Sequence, residues 1–175
     1  MNQPRRGFTL IEAITTMTIV TVIGVISSPI IMAAAESYAA ATTRAELASA
    51  CSTALERIVT ELREIPARPG VSPARPHIDE VTPGSITWEG VKSLRLAGST
   101  LLLTVDGANG RVLLEDVESF SVRAFDGENN AMGTVLSGRA CDGVRRVQVV
   151  VTVSRSGVSE TLRTAVFVRS MISGA

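Results

Sequence analysis

The feature that most constrains the fold of this chain is an apolar stretch that runs without a charge from Ala13 to Ala35. Arg5 and Arg6 precede it, and Glu12 lies at its head. The stretch is long enough to span a bilayer, since about 20 apolar residues suffice for a transmembrane helix. A carboxylate at membrane depth costs roughly 2–3 kcal/mol or more. Glu12 therefore needs a partner that neutralises its charge.

A specific run of residues links the basic pair to the apolar stretch. It consists of Gly7, Phe8, Thr9, Leu10, Ile11 and Glu12. This run resembles the N-terminal signature of type IV pilins and of type II secretion pseudopilins. The resemblance implies cleavage by a prepilin peptidase between Gly7 and Phe8, N-methylation of the new amine on Phe8, and Glu12 as the family's glutamate. It also implies other pilins or pseudopilins and an inner-membrane assembly platform as partners.

The role of Glu12 can also be argued from charge. Cleavage leaves a positive amine on Phe8, about one helical turn from Glu12. Glu12 then neutralises either its own terminus or that of a neighbouring subunit, and an opposite charge at close range favours the ionised carboxylate. A pair between subunits also sets the register of assembly. The alternative is a Glu12 that lies solvated at the level of the lipid headgroups.

Two export signals are alternatives to the pilin interpretation. One is a Sec signal peptide cleaved after the small residues 33–35, and the other is a twin-arginine signal built on Arg5 and Arg6. Neither explains Glu12 at the start of the apolar core. The apolar run also exceeds the about 7–15 residues of a signal-peptide core. The pilin interpretation explains both features.

Charge and composition restrict partners and topology. The formal net charge is +0, and removal of residues 1–7 takes away two arginines and leaves 0 − 2 = −2. With 3% aromatic residues and no basic excess, the sequence gives no case for a nucleic-acid surface. Because positive residues stay inside, we expect the N-terminus in the cytoplasm, the helix in the inner membrane and the remaining chain in the periplasm or outside the cell.

The helix is predicted to have an irregularity and then to change character. Gly24 and Pro29 predict a kink or local melting within the apolar stretch, either as a static bend or as a point where the subunit stretches on entering a filament. Residues 36–65 are predicted to continue the helix in amphipathic form. Its apolar stripe consists of Leu47, Cys51, Leu55, Ile58, Leu62 and Ile65.

The remaining chain changes to strand patterns. A proline-rich loop is expected over residues 66–84, followed by an antiparallel sheet over 85–175. The strands are predicted at 86–91, 93–97, 100–105, 111–114, 117–125, 145–154 and 160–169, with a hairpin turn at 154–157. We therefore predict an α+β, pilin-like fold. A leader (1–7) precedes a hydrophobic transmembrane and assembly helix (8–35), and the amphipathic continuation packs on a meandering sheet.

Two segments of the predicted sheet carry a second, looser resemblance. Residues 113–123 and 145–153 are similar to the C-terminal region of J-class minor pseudopilins and W-type minor pilins. That resemblance implies a minor subunit in a tip complex that primes filament assembly. The presence of Glu12 argues against the K-class tip subunit, whose family typically lacks this glutamate. A secretion pseudopilus, an adhesive or twitching pilus and a DNA-uptake pilus all remain open.

Cys51 and Cys141 form a candidate disulfide. The exported part of the chain, whose predicted sheet region (85–175) is called the head, lies in an oxidising compartment, where disulfides persist. The alternative is two unpaired thiols. In the chain-entropy model a bridge across so long a loop contributes roughly 4–5 kcal/mol.

Enzymatic chemistry has little support in the sequence. His77 is the only histidine and lies in the proline-rich loop, and there is no glycine-rich phosphate loop and no His/Cys metal cluster. Acidic turns at 106–109 and 126–130 do not have EF-hand spacing, although a calcium loop stays open. We therefore expect no enzyme, no cofactor and no metal. A structural pilin-like subunit is the leading hypothesis. The other is a membrane-anchored or secreted binding module whose N-terminus is only an export signal.

Overall fold

The structure is a computed structural model that describes residues 9–105, 107 and 110–169. The chain divides into two compact units, residues 1–42 and 43–175. One long helix, α1 (Leu10–Arg63), begins in the first unit and ends in the second. All the strands belong to the second unit. The prediction of a long N-terminal helix followed by an antiparallel sheet region is confirmed.

The part of α1 in the second unit forms the apolar stripe that the sequence predicts. Leu47, Cys51, Leu55, Ile58 and Leu62 are all buried. The charged residues 46, 56, 57, 63 and 64 are exposed, as the helical period requires. Glu61 is buried beside the stripe and pairs with Arg57 at 2.5 Å. The helix ends at Arg63, two residues short of the predicted boundary, and a proline follows at position 66.

The strands of the second unit follow the helix along the chain. They are β1 (Ile78–Thr82), β2 (Ser85–Trp88), β3 (Lys92–Ala97), β4 (Thr100–Thr104), β5 (Arg111–Leu114), β6 (Val117–Phe125), β7 (Leu136–Ser137), β8 (Arg146–Arg155) and β9 (Val158–Phe167). A 3₁₀ helix at Gly138–Gly143 lies between β7 and β8. The predicted hairpin turn joins β8 to β9. Ser156 and Gly157 both have positive φ, as a two-residue turn of this kind requires.

The strands form two antiparallel sheets where the sequence predicted one meandering sheet. The first has the order β5-β4-β3-β2-β1-β7, and the second has the order β6-β8-β9. The chain changes sheet between β5 and β6 at Asp116, whose φ is 57°. The single-sheet expectation is wrong because β6 pairs with the distant β8, and no local pattern records that pairing.

The expectation of a loop throughout 66–84 is also wrong at Ile78–Thr82, which forms β1. This strand lies between Pro76 and Pro83, where no proline interrupts the backbone hydrogen bonds of the sheet. It pairs with β2 on one side and with β7 on the other. The short strand β7 was not predicted at all.

The core of the second unit lies where the buried stripe of α1 and the inward faces of the sheets meet. Trp88 is fully buried in it, and so are Val147, Val149 and Val151, which alternate along β8. Gln148 of the same strand is also buried. Its side-chain oxygen accepts a hydrogen bond from Arg163 on β9 at 2.6 Å, and this bond satisfies the oxygen of the buried amide.

Candidate functional site

The first turn of α1 is held by a cap on Thr9. The side-chain oxygen of Thr9 accepts a hydrogen bond from the Glu12 backbone N–H at 3.4 Å, and its carbonyl accepts one from Ala13 at 3.1 Å. Thr9 thus fills the N-cap position, and Glu12 is the third helical residue. A Thr followed three residues later by Glu is the sequence pattern of a capping box. That pattern was readable from the sequence, and the prediction overlooked it.

Glu12 lies at the positive end of the helix dipole. It is the acidic residue of the first turn of α1, where a carboxylate is stabilised by about 0.3–1 kcal/mol. Its side chain is exposed and makes no ion pair within the described part of the chain. The helix therefore orients the carboxylate toward its own N-terminus without neutralising it. The predicted cleavage and methylation site, Gly7 and Phe8, lies outside the described residues.

The threonines near the start of α1 satisfy their own hydroxyls. The hydroxyl groups of Thr15, Thr18 and Thr21 each donate to the carbonyl four residues earlier, at 2.8, 2.9 and 2.8 Å. Thr16 likewise donates to the carbonyl of Glu12. A hydroxyl bonded within its own helix needs no water. These residues can therefore enter hydrocarbon without leaving a polar group unpaired.

The apolar side chains of the same segment are exposed all round the helix. The exposed fractions are 76% for Ile11, 67% for Val20 and 66% for Ile31, for example. At 1.5 Å per residue the uncharged stretch is about 34 Å long, close to the about 30 Å thickness of a bilayer's hydrocarbon core. By length and composition α1 is the one helix of the described chain able to cross a membrane. Such a surface needs lipid or other helices around it.

The predicted irregularity in the apolar stretch does not interrupt the helix. Gly24 and Pro29 both lie inside α1, and the residues around them are helical. The local melting that we expected is therefore not seen in this state. The space around Gly24 is open, so no neighbouring atom requires a glycine there. A conformational reason for Gly24 and Pro29 remains a prediction.

The two cysteines lie in different surroundings. Both are free and buried, so the predicted disulfide is not formed in the structure. Cys51 lies on α1 near Glu160 of β9, and burial followed by this carboxylate raises the pKa of its thiol. The Cys141 thiol contacts the carbonyl of Asp79 at 3.7 Å. Burial raises its pKa as well, despite the nearby Arg68. Sequence separation alone could not show that the thiols face different neighbours.

The remaining candidate sites have local structural explanations. Asp126 accepts hydrogen bonds from the backbone N–H groups of Glu128 and Asn130 at 2.9 and 2.8 Å, so its carboxylate closes a turn. The acidic turn at 106–109 lies largely outside the described residues. His77 is partly buried, with its ring 4.0 Å from Asp79. The described ranges contain no group of three or more His, Cys, Asp or Glu side chains arranged to hold a metal.

Comparison with known proteins gives one finding for the N-terminus. The family model described as the prokaryotic N-terminal methylation motif matches residues 2–28. The matched stretch contains the basic pair, Gly7, Phe8, Glu12 and the first half of the apolar helix. No curated protein matches the chain significantly. The match concerns the N-terminal segment alone, so the description of residues 29–169 depends on the structure and not on a comparison.

Proposed function

We propose, for a chain that its methylation motif assigns to the type IV pilins and pseudopilins, a structural role as a minor pseudopilin or minor pilin. The chain is a substrate of the prepilin-peptidase type and a membrane-associated protein. In our proposal it is cut between Gly7 and Phe8, methylated on Phe8, and assembled through its N-terminal helix into a type II secretion pseudopilus or a type IV pilus. The head has no catalytic function in this proposal.

The observation that carries the proposal is the combination of an all-round apolar surface and an unpaired carboxylate, Glu12, in the first turn of the same helix. A signal peptide needs the apolar surface but not Glu12. A helix that leaves the bilayer for a filament core needs both. Its surface packs against identical or related helices, and its charge finds a partner there.

The pairing partner of Glu12 is the amine that cleavage creates on Phe8. Within one chain this amine lies about one helical turn from the carboxylate. Between chains, an axial stagger of the helices brings the amine of one subunit to the Glu12 of another. Burying two opposite charges in hydrocarbon as a pair costs less than burying each of them unpaired, and the pair sets the register of the helices.

The basic pair determines the topology that we propose. Arg5 and Arg6 stay in the cytoplasm, the uncharged stretch spans the inner membrane, and the head lies in the periplasm or outside the cell. The partners are then the prepilin peptidase, an inner-membrane assembly platform and other pilin-like subunits. The lean toward a minor subunit rests on the resemblance of residues 113–123 and 145–153, which lie largely on the paired strands β6 and β8.

The test is an assembly assay with Glu12 variants. The wild type, Glu12→Leu and a matched control, Glu36→Gln, are expressed with the cognate peptidase and assembly machinery, and the sheared filament fraction is quantified. We expect normal cleavage in all three. Incorporation of Glu12→Leu should fall at least about tenfold, equivalent to about 1.4 kcal/mol per subunit. Equal incorporation of Glu12→Leu and Glu36→Gln would contradict the proposal.

A further inference from the structure

The outer edge of β9 differs from the other sheet edges in the described chain. β9 is ten residues long and pairs along its whole length with β8. Its opposite edge has no strand partner and no backbone hydrogen bond to the described residues. A long unpaired edge is a template for pairing with another chain, and soluble proteins usually shorten or cover such edges.

The other three sheet edges are either short or covered by loops. β5 and β7, which bound the first sheet, have only four and two residues. The outer edge of β6 is covered by loops: the Val117 and Val122 N–H groups donate to the carbonyls of Ser99 and Pro83 at 2.9 and 3.0 Å. Met132 donates to the carbonyl of Ala124 at 2.9 Å on the same strand. Only β9, among the edges that the structure describes, is both long and uncovered.

Two depressions with apolar side chains in their linings lie beside this edge, and together they are called the groove. One depression of about 480 Å³ lies between α1 and β9 and is lined by Leu55, Val59 and Leu162 among others. A second, of about 490 Å³, lies nearer the end of the strand and is lined by Ala165 and Phe167 among others. Phe167 is 59% exposed, which is unusual for a phenylalanine on a sheet. An added strand would find apolar contacts along this groove.

The charges along the groove are mainly positive. Arg163 lines the first depression, and Arg63 and Arg169 line the second, whereas Glu56 is the one carboxylate that lines either of them. The Arg163 guanidinium donates a hydrogen bond to Gln148 of the neighbouring strand β8, which fixes its position on the sheet beside this edge. Glu160 of the same strand points toward α1 and lies 3.8 Å from Arg44. The groove therefore favours a ligand that carries carboxylates.

We propose that the β9 edge binds an extended acidic segment of a partner polypeptide, which adds to the second sheet as a fourth strand. Backbone hydrogen bonds supply affinity in this mode, and alternate side chains supply specificity. Arg163 and Phe167 share one face of β9 because they are separated by an even number of residues, and Arg169 lies two residues beyond the end of the strand. The matching segment carries one carboxylate for Arg163 and a second, about six residues away, for Arg169, with apolar side chains between them. The proposal does not depend on the fate of the N-terminus.

The probe is a labelled peptide containing Glu-Thr-Val-Thr-Val-Thr-Glu, measured by fluorescence anisotropy against the full chain in detergent micelles. We expect it to bind at least about tenfold more tightly than the same peptide with Lys in place of Glu. The variant Arg163→Glu/Arg169→Glu should reverse this preference. Arg95→Glu, an exposed charge change on β3, should leave it unchanged. Added salt should weaken binding of the Glu peptide.

Two further measurements separate strand addition from simple charge attraction. Methylation of alternate peptide amides removes backbone donors without changing charge. Two such peptides can be made, one for each set of alternate amides. The peptide whose methylated amides face β9 should lose binding. Amide hydrogen exchange should slow along residues 158–167 when the Glu peptide binds. The proposal is overturned if the Glu and Lys peptides bind equally, or if both methylated peptides bind as tightly as the unmethylated one. Self-association of the unliganded chain through protected β9 amides would overturn it as well, because the edge would then join two copies.

Discussion

The docking of α1 on the sheets can be tested at Leu62, whose side chain is fully buried in the core. Replacement by alanine removes three buried carbon atoms and leaves a cavity that a packed helix–sheet interface cannot close. Leucine-to-alanine changes at such sites cost about 2–5 kcal/mol. We take about 3 kcal/mol for Leu62→Ala, a large part of the about 5–15 kcal/mol by which a domain is stable.

Trp88 provides the signal for this measurement. It is the only tryptophan of the chain and is fully buried, so its fluorescence reports unfolding of the second unit. With a urea dependence of about 2 kcal/mol per molar, Leu62→Ala should lower the unfolding midpoint by about 1.5 M. The matched control is Thr53→Ala on the exposed face, which should cost about 0.5 kcal/mol or less. Equal midpoints for the two variants would refute the docking of this face.

Local contacts also determine the reactivity of the two thiols, the titration of Asp126 and the strength of one cation–π contact. Because burial raises the pKa of both thiols, Cys51 and Cys141 should resist alkylation at pH 8 and both react after denaturation without reductant, which intact mass will show. Hydrogen bonds to Asp126, of which the one from the Asn130 backbone N–H is the largest contributor, lower the pKa of its carboxyl group, so its NMR titration midpoint should fall below 3.8. The stabilisation of the folded state that results is present above the pKa of Asp126 in the unfolded chain. It is lost as the pH falls through the pKa of Asp126 in the folded chain. The Arg146 guanidinium lies 4.3 Å from the centre of the Phe125 ring. A double-mutant cycle with Arg146→Gln and Phe125→Leu should give a coupling free energy of about 0.5–2 kcal/mol. A coupling of zero would contradict the contact.

The sequence was informative where structure is recorded by local periodicity. The stripe from Leu47 to Ile65 was readable because a helix repeats every 3.6 residues and the buried positions follow that repeat. The bounds of β5 and β6 were predicted without error, since turn residues flank both strands. The N-terminal motif was equally readable, because its residues are consecutive.

Local sequence patterns could not predict which distant segments pair with each other. The division into two sheets depends on β6 choosing β8 as its neighbour, and β7 forms only because β1 offers it an edge. The burial of Gln148 depends on Arg163 from the adjacent strand. The separate environments of the two thiols likewise arise from tertiary packing. In each case the deciding contact lies far away in the sequence.

In the function that we propose, the mature protein keeps the apolar helix, and pilin-type processing creates the N-terminus of that helix. The most direct test is the intact mass and N-terminal peptide map of the protein purified from its native membrane. We expect a mature chain that begins at Phe8 and carries one added methyl group. A mature chain that begins near Glu36 would contradict it, because the N-terminus would then be an export signal only.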